Sequence, residues 1–303
     1  MRHFLDLKDF DKTQLQAMLD YGLEMRRALK AGTSHDTPLA GQHIGMIFEK
    51  PSTRTRVSFE VGISQLGGTP IVLSANDMQL GRGETIADTA RVLSGYLDGV
   101  MIRCLAHDTL MALAEHASMP VINGLTNRSH PCQVMADMMT MIDYHGGLDG
   151  QIVTWAGDGN NVAVSWIEAA AIMGFELRLA CPEGYEPPAD IIAWARQAGA
   201  KISLHQDLAE AATQADVLVT DVWISMGDEE GTRLQDLTPF QVNDAVMQQA
   251  APDAIFMHCL PAIREQEVTT SVIEGPQSAV WAEAENRLHA QKAILAYCAG
   301  HVL

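Results

Sequence analysis

The residues best suited to chemistry in this chain lie in a few short polar segments, each at the end of an apolar run. The densest is 48–56, where Ser52, Thr53, Arg54, Thr55 and Arg56 follow a strand-like run and open a helix-like pattern. A helix start offers unpaired N–H groups and the positive end of a dipole, so it binds phosphate readily. Hydroxyls and guanidinium groups at the same point add donors and charge for an oxyanion. Ordinary N-capping accounts for Ser52 or Thr53. It does not require Arg54 and Arg56 as well, so an anion site is the better reading.

Five further segments have the same placement. Arg103 ends the run 99–104, and the C-terminal edges of parallel strands are where open α/β sheets bind ligands. A lone arginine there is equally a surface ion pair. His130 and Gln133 follow the run 120–124 and sit three apart on the first turn of a helical pattern, facing one crevice. His donates to a carbonyl oxygen and Gln binds an amide, although the tetrapeptide HPCQ alone is weak evidence. Gly157-Asp158-Gly159-Asn160-Asn161 joins strand to helix without the spacing GxGxxG, which argues against a dinucleotide loop. Its Asn side chains suit the carboxylate and amine of an amino acid. Asp221, in Asp221-Val222-Trp223-Ile224-Ser225-Met226-Gly227, puts an acid beside a glycine-bearing loop, which suits a cationic ligand and a mobile lid, with a surface turn as the alternative. Finally His258-Cys259-Leu260-Pro261 ends another run; Cys259 there has the place of a tuned thiol but no evident nucleophile set.

The formal charge of −18 makes the arginine cluster informative, because only 20 Lys and Arg are available in all. It also disfavours nucleic acid and anionic membranes as partners. The five cysteines are scattered with no CxxC pair, which argues against a disulfide framework or a zinc knuckle. No apolar stretch approaches the roughly 20 residues that span a bilayer, and the first residues lack the apolar core of a signal peptide. A cytoplasmic protein is expected.

The elements that must hold these residues read as strands at 43–50, 69–75, 99–104, 120–124, 151–158, 175–182, 200–206, 215–223 and 254–261. Between them Phe59, Ile63 and Leu66, or Val162, Trp166 and Met173, repeat at helical spacing. Strand–helix alternation with near-continuous apolar strands means parallel sheets covered on both faces. The expected fold is therefore α/β, with two doubly wound parallel-sheet domains joined by long helices. Met135, Met138, Met139 and Ile142 form a core-facing helical stripe closed by Gly146-Gly147, which places the boundary in 134–150. The expected layout is a domain 1–133, an interdomain helix 134–150 and a domain 151–287, with a helix over 288–303 packing back on the first.

Together STRTR, HPCQ and HCLP, in this order and at this spacing, resemble the aspartate/ornithine carbamoyltransferase family from Phe48 to Arg287. The resemblance implies a first domain for carbamoyl phosphate, a second for the amino acid, and a trimer with shared active sites. By the same resemblance Ser52, Thr53, Arg54 and Thr55 form the phosphate cradle, and Arg103, His130 and Gln133 hold the carbamoyl group. Gln79 is the residue lent by a neighbouring subunit, and Arg287 with the backbone at Cys259 and Leu260 adds contacts to carbamoyl phosphate. Asn161, Asp221, Ser225 and Met226 match the pattern for L-ornithine, since an aspartate stands where aspartate enzymes need arginines. The implied reaction gives L-citrulline and phosphate in arginine metabolism, with Cys259 and Asp221 as candidates for taking the amine proton. It needs neither metal nor organic cofactor, because the donor is already an activated mixed anhydride. Two departures stand out: Cys104 follows Arg103 where a polar residue is common, and the chain is short for the family. The rival readings are a carbamoyltransferase for N-acetylornithine, putrescine or aspartate, and a non-catalytic amino-acid-binding module on the same fold.

Overall fold

The computed structural model describes residues 2–74, 83–224 and 231–302. The chain divides into two compact units, Met1–Ala136 with Arg287–Leu303, and Asp137–Asn286. In chain order the elements are α1 (Lys12–Lys30), β1 (His43–Phe48), α2 (Thr53–Gln65), β2 (Thr69–Ser74), α3 (Ile86–Ser94), β3 (Gly99–Arg103), α4 (His107–His116), β4 (Val121–Leu125) and α5 (Pro131–His145). They continue with β5 (Ile152–Ala156), α6 (Asn161–Met173), β6 (Glu176–Ala180), α7 (Ala189–Gln197), β7 (Ile202–His205), α8 (Leu208–Ala212), β8 (Val217–Thr220), α9 (Arg233–Leu237), α10 (Asp244–Met247), β9 (Ile255–His258), α11 (Thr270–Ile273) and α12 (Val280–Cys298). The chain leaves the first unit inside α5 and returns to it inside α12.

The first unit holds a parallel sheet in the order β2-β1-β3-β4. The order reverses between β1 and β3, and ligands of open α/β sheets bind beyond the strand ends at such a switch point. Register pairs Phe48 with Arg103, so the segment 49–56 and the Arg103 side chain start from the same edge. β3 is buried along Gly99–Ile102, and only Arg103 emerges. That continuous apolar run ending in a charge is what a strand covered on both faces looks like.

The second unit holds a parallel sheet in the order β7-β6-β5-β8-β9, and its switch point lies between β5 and β8. Ala156 pairs with Thr220, and Thr220 with His258. Gly157, Asp221 and Cys259 are therefore the next residues along three adjacent strand ends. Both sheets are all-parallel, as the near-continuous apolar runs require.

The helical stripes also pack inward. Phe59, Ile63, Leu66, Trp166 and Met173 are fully buried, as are Met135, Met138 and Met139. Trp166 meets Phe175 edge to face with ring centroids 5.7 Å apart. Observed strands are shorter than the apolar runs. The run 215–223 contributes only Val217–Thr220, because Asp221 turns its carboxylate onto the amide of Val222 at 2.8 Å and ends the ladder. Cys104, Cys132, Cys181 and Cys298 are buried free thiols, and Cys259 is partly exposed.

Candidate active site

In the first unit β1 delivers the chain to Ser52, which occupies the N-cap position of α2 in extended conformation. Its hydroxyl makes no capping bond, so capping does not explain the residue. Thr53 and Arg54 are exposed on the first turn, and Thr55 is buried behind them. The Thr55 hydroxyl accepts from Arg103 Nη1 at 3.3 Å and from Arg287 Nη2 at 2.9 Å. Two guanidinium groups thus converge on one oxygen at the opening of a helix. Arg56, expected to share in the anion site, instead turns along the exposed helix face to Glu60 at 3.4 Å. Pairs at i,i+4 of this kind are worth a few tenths of a kcal/mol at most.

His130 and Gln133 stand at the start of α5, both buried. Burial holds the His130 imidazole well below its ordinary pKa, and the positive charges of Arg287 and Arg103 push the same way. His130 is therefore neutral near pH 7, with one N–H to donate. Its loop is fastened from the N-terminal segment: Ser129 Oγ donates to Asp6, and Asn123 Nδ2 donates to Ser129 Oγ at 2.9 Å. Asp6 also lies 3.5 Å from Lys8 and 3.5 Å from His107. No pattern around Asp6 pointed to this role; only the fold brings residue 6 against residue 129.

In the second unit Gly157 has φ +110°, and a Cβ there would lie 3.3 Å from the indole nitrogen of Trp223. Glycine lets the strand turn sharply into α6. Asn160 caps α6, its side-chain oxygen accepting from Val162 and Ala163, and its Nδ2 donates to Asp221 Oδ2 at 2.9 Å. Asn161 is the first helical residue. The Cys259 thiol donates to Asp221 Oδ1 at 3.0 Å. Burial raises the Cys259 pKa well above the usual thiol value, and the charge of Asp221 raises it further. The thiol is thus held in its protonated form and is the donor of the pair. Asp221, His258 and Cys259 bring ligand atoms within 4.8 Å of one another, a spacing a metal ion would accept. The His258 ring, however, is committed at both nitrogens, to the Leu260 amide and to Glu267.

Residues 2–143 match the family model for the aspartate/ornithine carbamoyltransferase carbamoyl-P binding domain, and residues 149–298 match that for the Asp/Orn binding domain. The chain belongs to the aspartate/ornithine carbamoyltransferase family. An ornithine carbamoyltransferase of Nitrobacter winogradskyi is 55% identical, with 99% of this chain and 97% of that one covered. One from Rhizobium meliloti is 53% identical with 99% of each covered. The solved ornithine carbamoyltransferase of Pyrococcus furiosus is 47% identical, with a TM-score of 0.95 over 100% of this chain and 98% of that one. That of Burkholderia thailandensis is 43% identical, with a TM-score of 0.92 and both chains fully covered.

For this member of the family, Thr55, Arg103, His130 and Arg287 form one cluster, with Ser52, Thr53 and Arg54 on the adjoining helix start and Gln133 one turn beyond His130. Asp221, Cys259 and Asn160 form another, with Asn161 and Leu260 adjoining. Gln79, Ser225 and Met226 lie outside the described residues.

Two outcomes follow from the electrostatics. The unfolded chain takes up a proton on His130 near pH 6.5 while the folded chain does not. Its contribution to stability is thus present above that pH and lost as pH falls below it. Thermal unfolding followed between pH 7.5 and 5.5 should show that loss, and His130→Gln should flatten part of it. For the thiol, Asp221→Asn removes the charge and the charged acceptor that add to burial in holding Cys259 protonated. The rate of iodoacetamide labelling at Cys259 at pH 8 should then rise at least severalfold; an unchanged rate would separate the two residues electrostatically.

Proposed function

We propose that this protein transfers the carbamoyl group of carbamoyl phosphate to the side-chain amine of L-ornithine, releasing L-citrulline and phosphate. The supporting observation is the convergence of Arg103 and Arg287 on Thr55 at the start of α2, beside a neutral His130. This is a donor set for a small, multiply charged anion that also carries a carbonyl. In this reading the unit Met1–Ala136 with Arg287–Leu303 binds carbamoyl phosphate and the unit Asp137–Asn286 binds ornithine; the expected joining helix 134–150 is α5, which runs Pro131–His145, and the expected boundary at 287 moves so that Arg287 falls in the first unit. The relatives named above are known as ornithine carbamoyltransferases, which supports ornithine as the acceptor.

The phosphate sits on the opening amides of α2 among Ser52, Thr53, Arg54 and Thr55. Arg103 and the Thr55 hydroxyl, with the N–H of His130, stabilise negative charge as it grows on the carbonyl oxygen. Gln133 accepts from the carbamoyl amide, and Arg287 and the backbone at Cys259 and Leu260 complete the contacts. Gln79 is contributed from a neighbouring copy. Ornithine is held by Asn161, Asp221, Ser225 and Met226. Its ammonium has a pKa near 10 by analogy with lysine, so only about one molecule in a thousand is the free amine at pH 7. Selecting that form costs about 4 kcal/mol, and the arginines and desolvation reduce that cost. The Asp221 carboxylate, hydrogen-bonded to Cys259, accepts the released proton. Because the donor is a mixed anhydride, the reaction proceeds without metal or organic cofactor.

Association of three copies, with sites shared between them, is part of this proposal. Val57 and Val61 are 53% and 39% exposed on α2 and line a concavity of about 600 Å³ with Glu60, Ser64 and Gln65. An exposed apolar stripe next to a binding helix is the kind of surface a second copy covers. The reaction belongs to arginine metabolism, and we place it in the cytoplasm. Among the described residues no helix is long and apolar enough to cross a membrane.

Purified protein with carbamoyl phosphate and ornithine alone should form citrulline, and with N-acetylornithine, putrescine or aspartate should form far less carbamoylated product. Arg54→Ala should lower kcat/KM for carbamoyl phosphate roughly tenfold to a hundredfold, the loss of one charge-assisted hydrogen bond. Unchanged kinetics would remove Arg54 from the site.

A further inference from the structure

His258, the first residue of HCLP, is assigned no role above, yet it is the most fully committed side chain at the end of β9. Its backbone N–H donates to Glu283 Oε2 at 2.7 Å. An amide N–H can only donate, so the bond from Leu260 N to His258 Nδ1 at 2.9 Å makes Nδ1 a bare acceptor. The ring proton therefore resides on Nε2, which donates to Glu267 Oε1 at 3.0 Å. The same oxygen accepts from Ile263 N at 2.6 Å, so one carboxylate fixes both the ring and the far end of the turn 259–263. His258 and Glu267 are buried, whereas Cys259 and Leu260 just above them are partly exposed.

Two features show that this arrangement is retained against a cost. Leu260 has φ +56°, the left-handed region that a branched side chain adopts only when its surroundings hold it there. The second oxygen of Glu267 is buried with no hydrogen-bond partner, an expensive placement for a carboxylate. An apolar residue would avoid that second cost but would release the ring tautomer.

We propose that His258 is a positioning residue: held as its Nε2–H tautomer by Glu267, it grips the Leu260 amide and sets the Cys259–Leu260 backbone to which the proposed function assigns a contact with the donor. This deepens the carbamoyl-transfer reading and rests on it. His258 does not touch substrate; it acts through the orientation of the next two residues. Small misplacements of such a contact cost rate well out of proportion to their effect on stability.

The test separates the two ring nitrogens. In His258→Asn the amide oxygen lies near the place of Nδ1 and still accepts from Leu260. In His258→Gln the amide nitrogen lies near the place of Nε2 and still donates to Glu267, but nothing meets the Leu260 amide. With thermal unfolding midpoints matched within a few degrees, His258→Asn should retain kcat within about fivefold. His258→Gln should lose about thirtyfold or more in kcat/KM for carbamoyl phosphate, with a smaller change for ornithine. Equal losses in the two variants, or retained activity in His258→Gln, would overturn the proposal. Nitrogen-15 spectra of histidine-labelled wild type read the tautomer without any folding question: one ring with bare Nδ1 and protonated Nε2, absent from His258→Asn, is expected. The same signal with the proton on Nδ1 would also overturn it. Wild type that formed no citrulline would instead refute the carbamoyl-transfer reading itself.

Discussion

Arg103 and Arg287 approach the same hydroxyl, at 3.3 and 2.9 Å, in a chain whose formal charge is −18. Two like charges brought to one oxygen repel each other. The helix opening beside them adds more positive potential. Left to itself such a cluster would splay. Pairing of Phe48 with Arg103 across adjacent strands prevents that on one side, and the burial of Arg287 on α12 prevents it on the other. Burial, with the same positive field adding to it, keeps His130 neutral, so the group that must donate to a carbonyl does not become another cation. A multiply charged anion reverses the sign of every one of these terms at once. That is electrostatic preorganisation in its physical sense: the fold bears the repulsion before the ligand arrives.

The second unit solves the inverse problem at the switch point of its own parallel sheet. Its switch point places Gly157, Asp221 and Cys259 at three neighbouring strand ends, and the charge gathered there is negative. Asp221 is held by Asn160, by its own Val222 amide and by the Cys259 thiol. Those donors orient the carboxylate, and the thiol contributes no charge of its own. An overall acidic protein favours a cationic amino acid in the surrounding field and disfavours an anionic phosphate donor. The scarce arginines therefore had to be concentrated in the first unit, while one aspartate suffices in the second.

How far the sequence revealed this depends on the length scale of each interaction. Parallel strands buried on both faces leave continuous apolar runs, so β1, β3 and β8 were legible, and the residues just past them marked the strand ends; β2 and β7 are only half-buried and were legible through their place between helical patterns. The runs overstated strand length where a side chain turned back on the backbone, as Asp221 does. Local helix spacing was legible in Phe59, Ile63 and Leu66. What a side chain does at a distance was not. Arg56 looks identical to Arg54 in composition, and only its direction along α2, toward Glu60, removes it from the site. The bond between Arg287 and Thr55 spans 232 residues, and Arg287 entered through family resemblance rather than through any local pattern. Asp6 had no signal at all, since its partners Ser129 and His107 reach it only through the pairing of the N-terminal segment with β4.

Burial sorts these polar groups by task. Asn123, Ser129, Glu267 and His258 are nearly or wholly inaccessible, and each directs its bonds at backbone or at another side chain in the adjoining loop. Arg54, Asp221 and Cys259 remain partly open to solvent, where a ligand arrives. A buried polar group is costly unless it is satisfied, and a bond from it to a neighbouring loop rigidifies that loop. The left-handed Leu260 is the clearest case, because its conformation is costly alone and persists through a ring that is fixed in turn by a carboxylate. Precision at the exposed edge of each sheet is thus obtained from polar groups one layer below it, and the reacting residues need not spend their own hydrogen bonds on holding themselves in place.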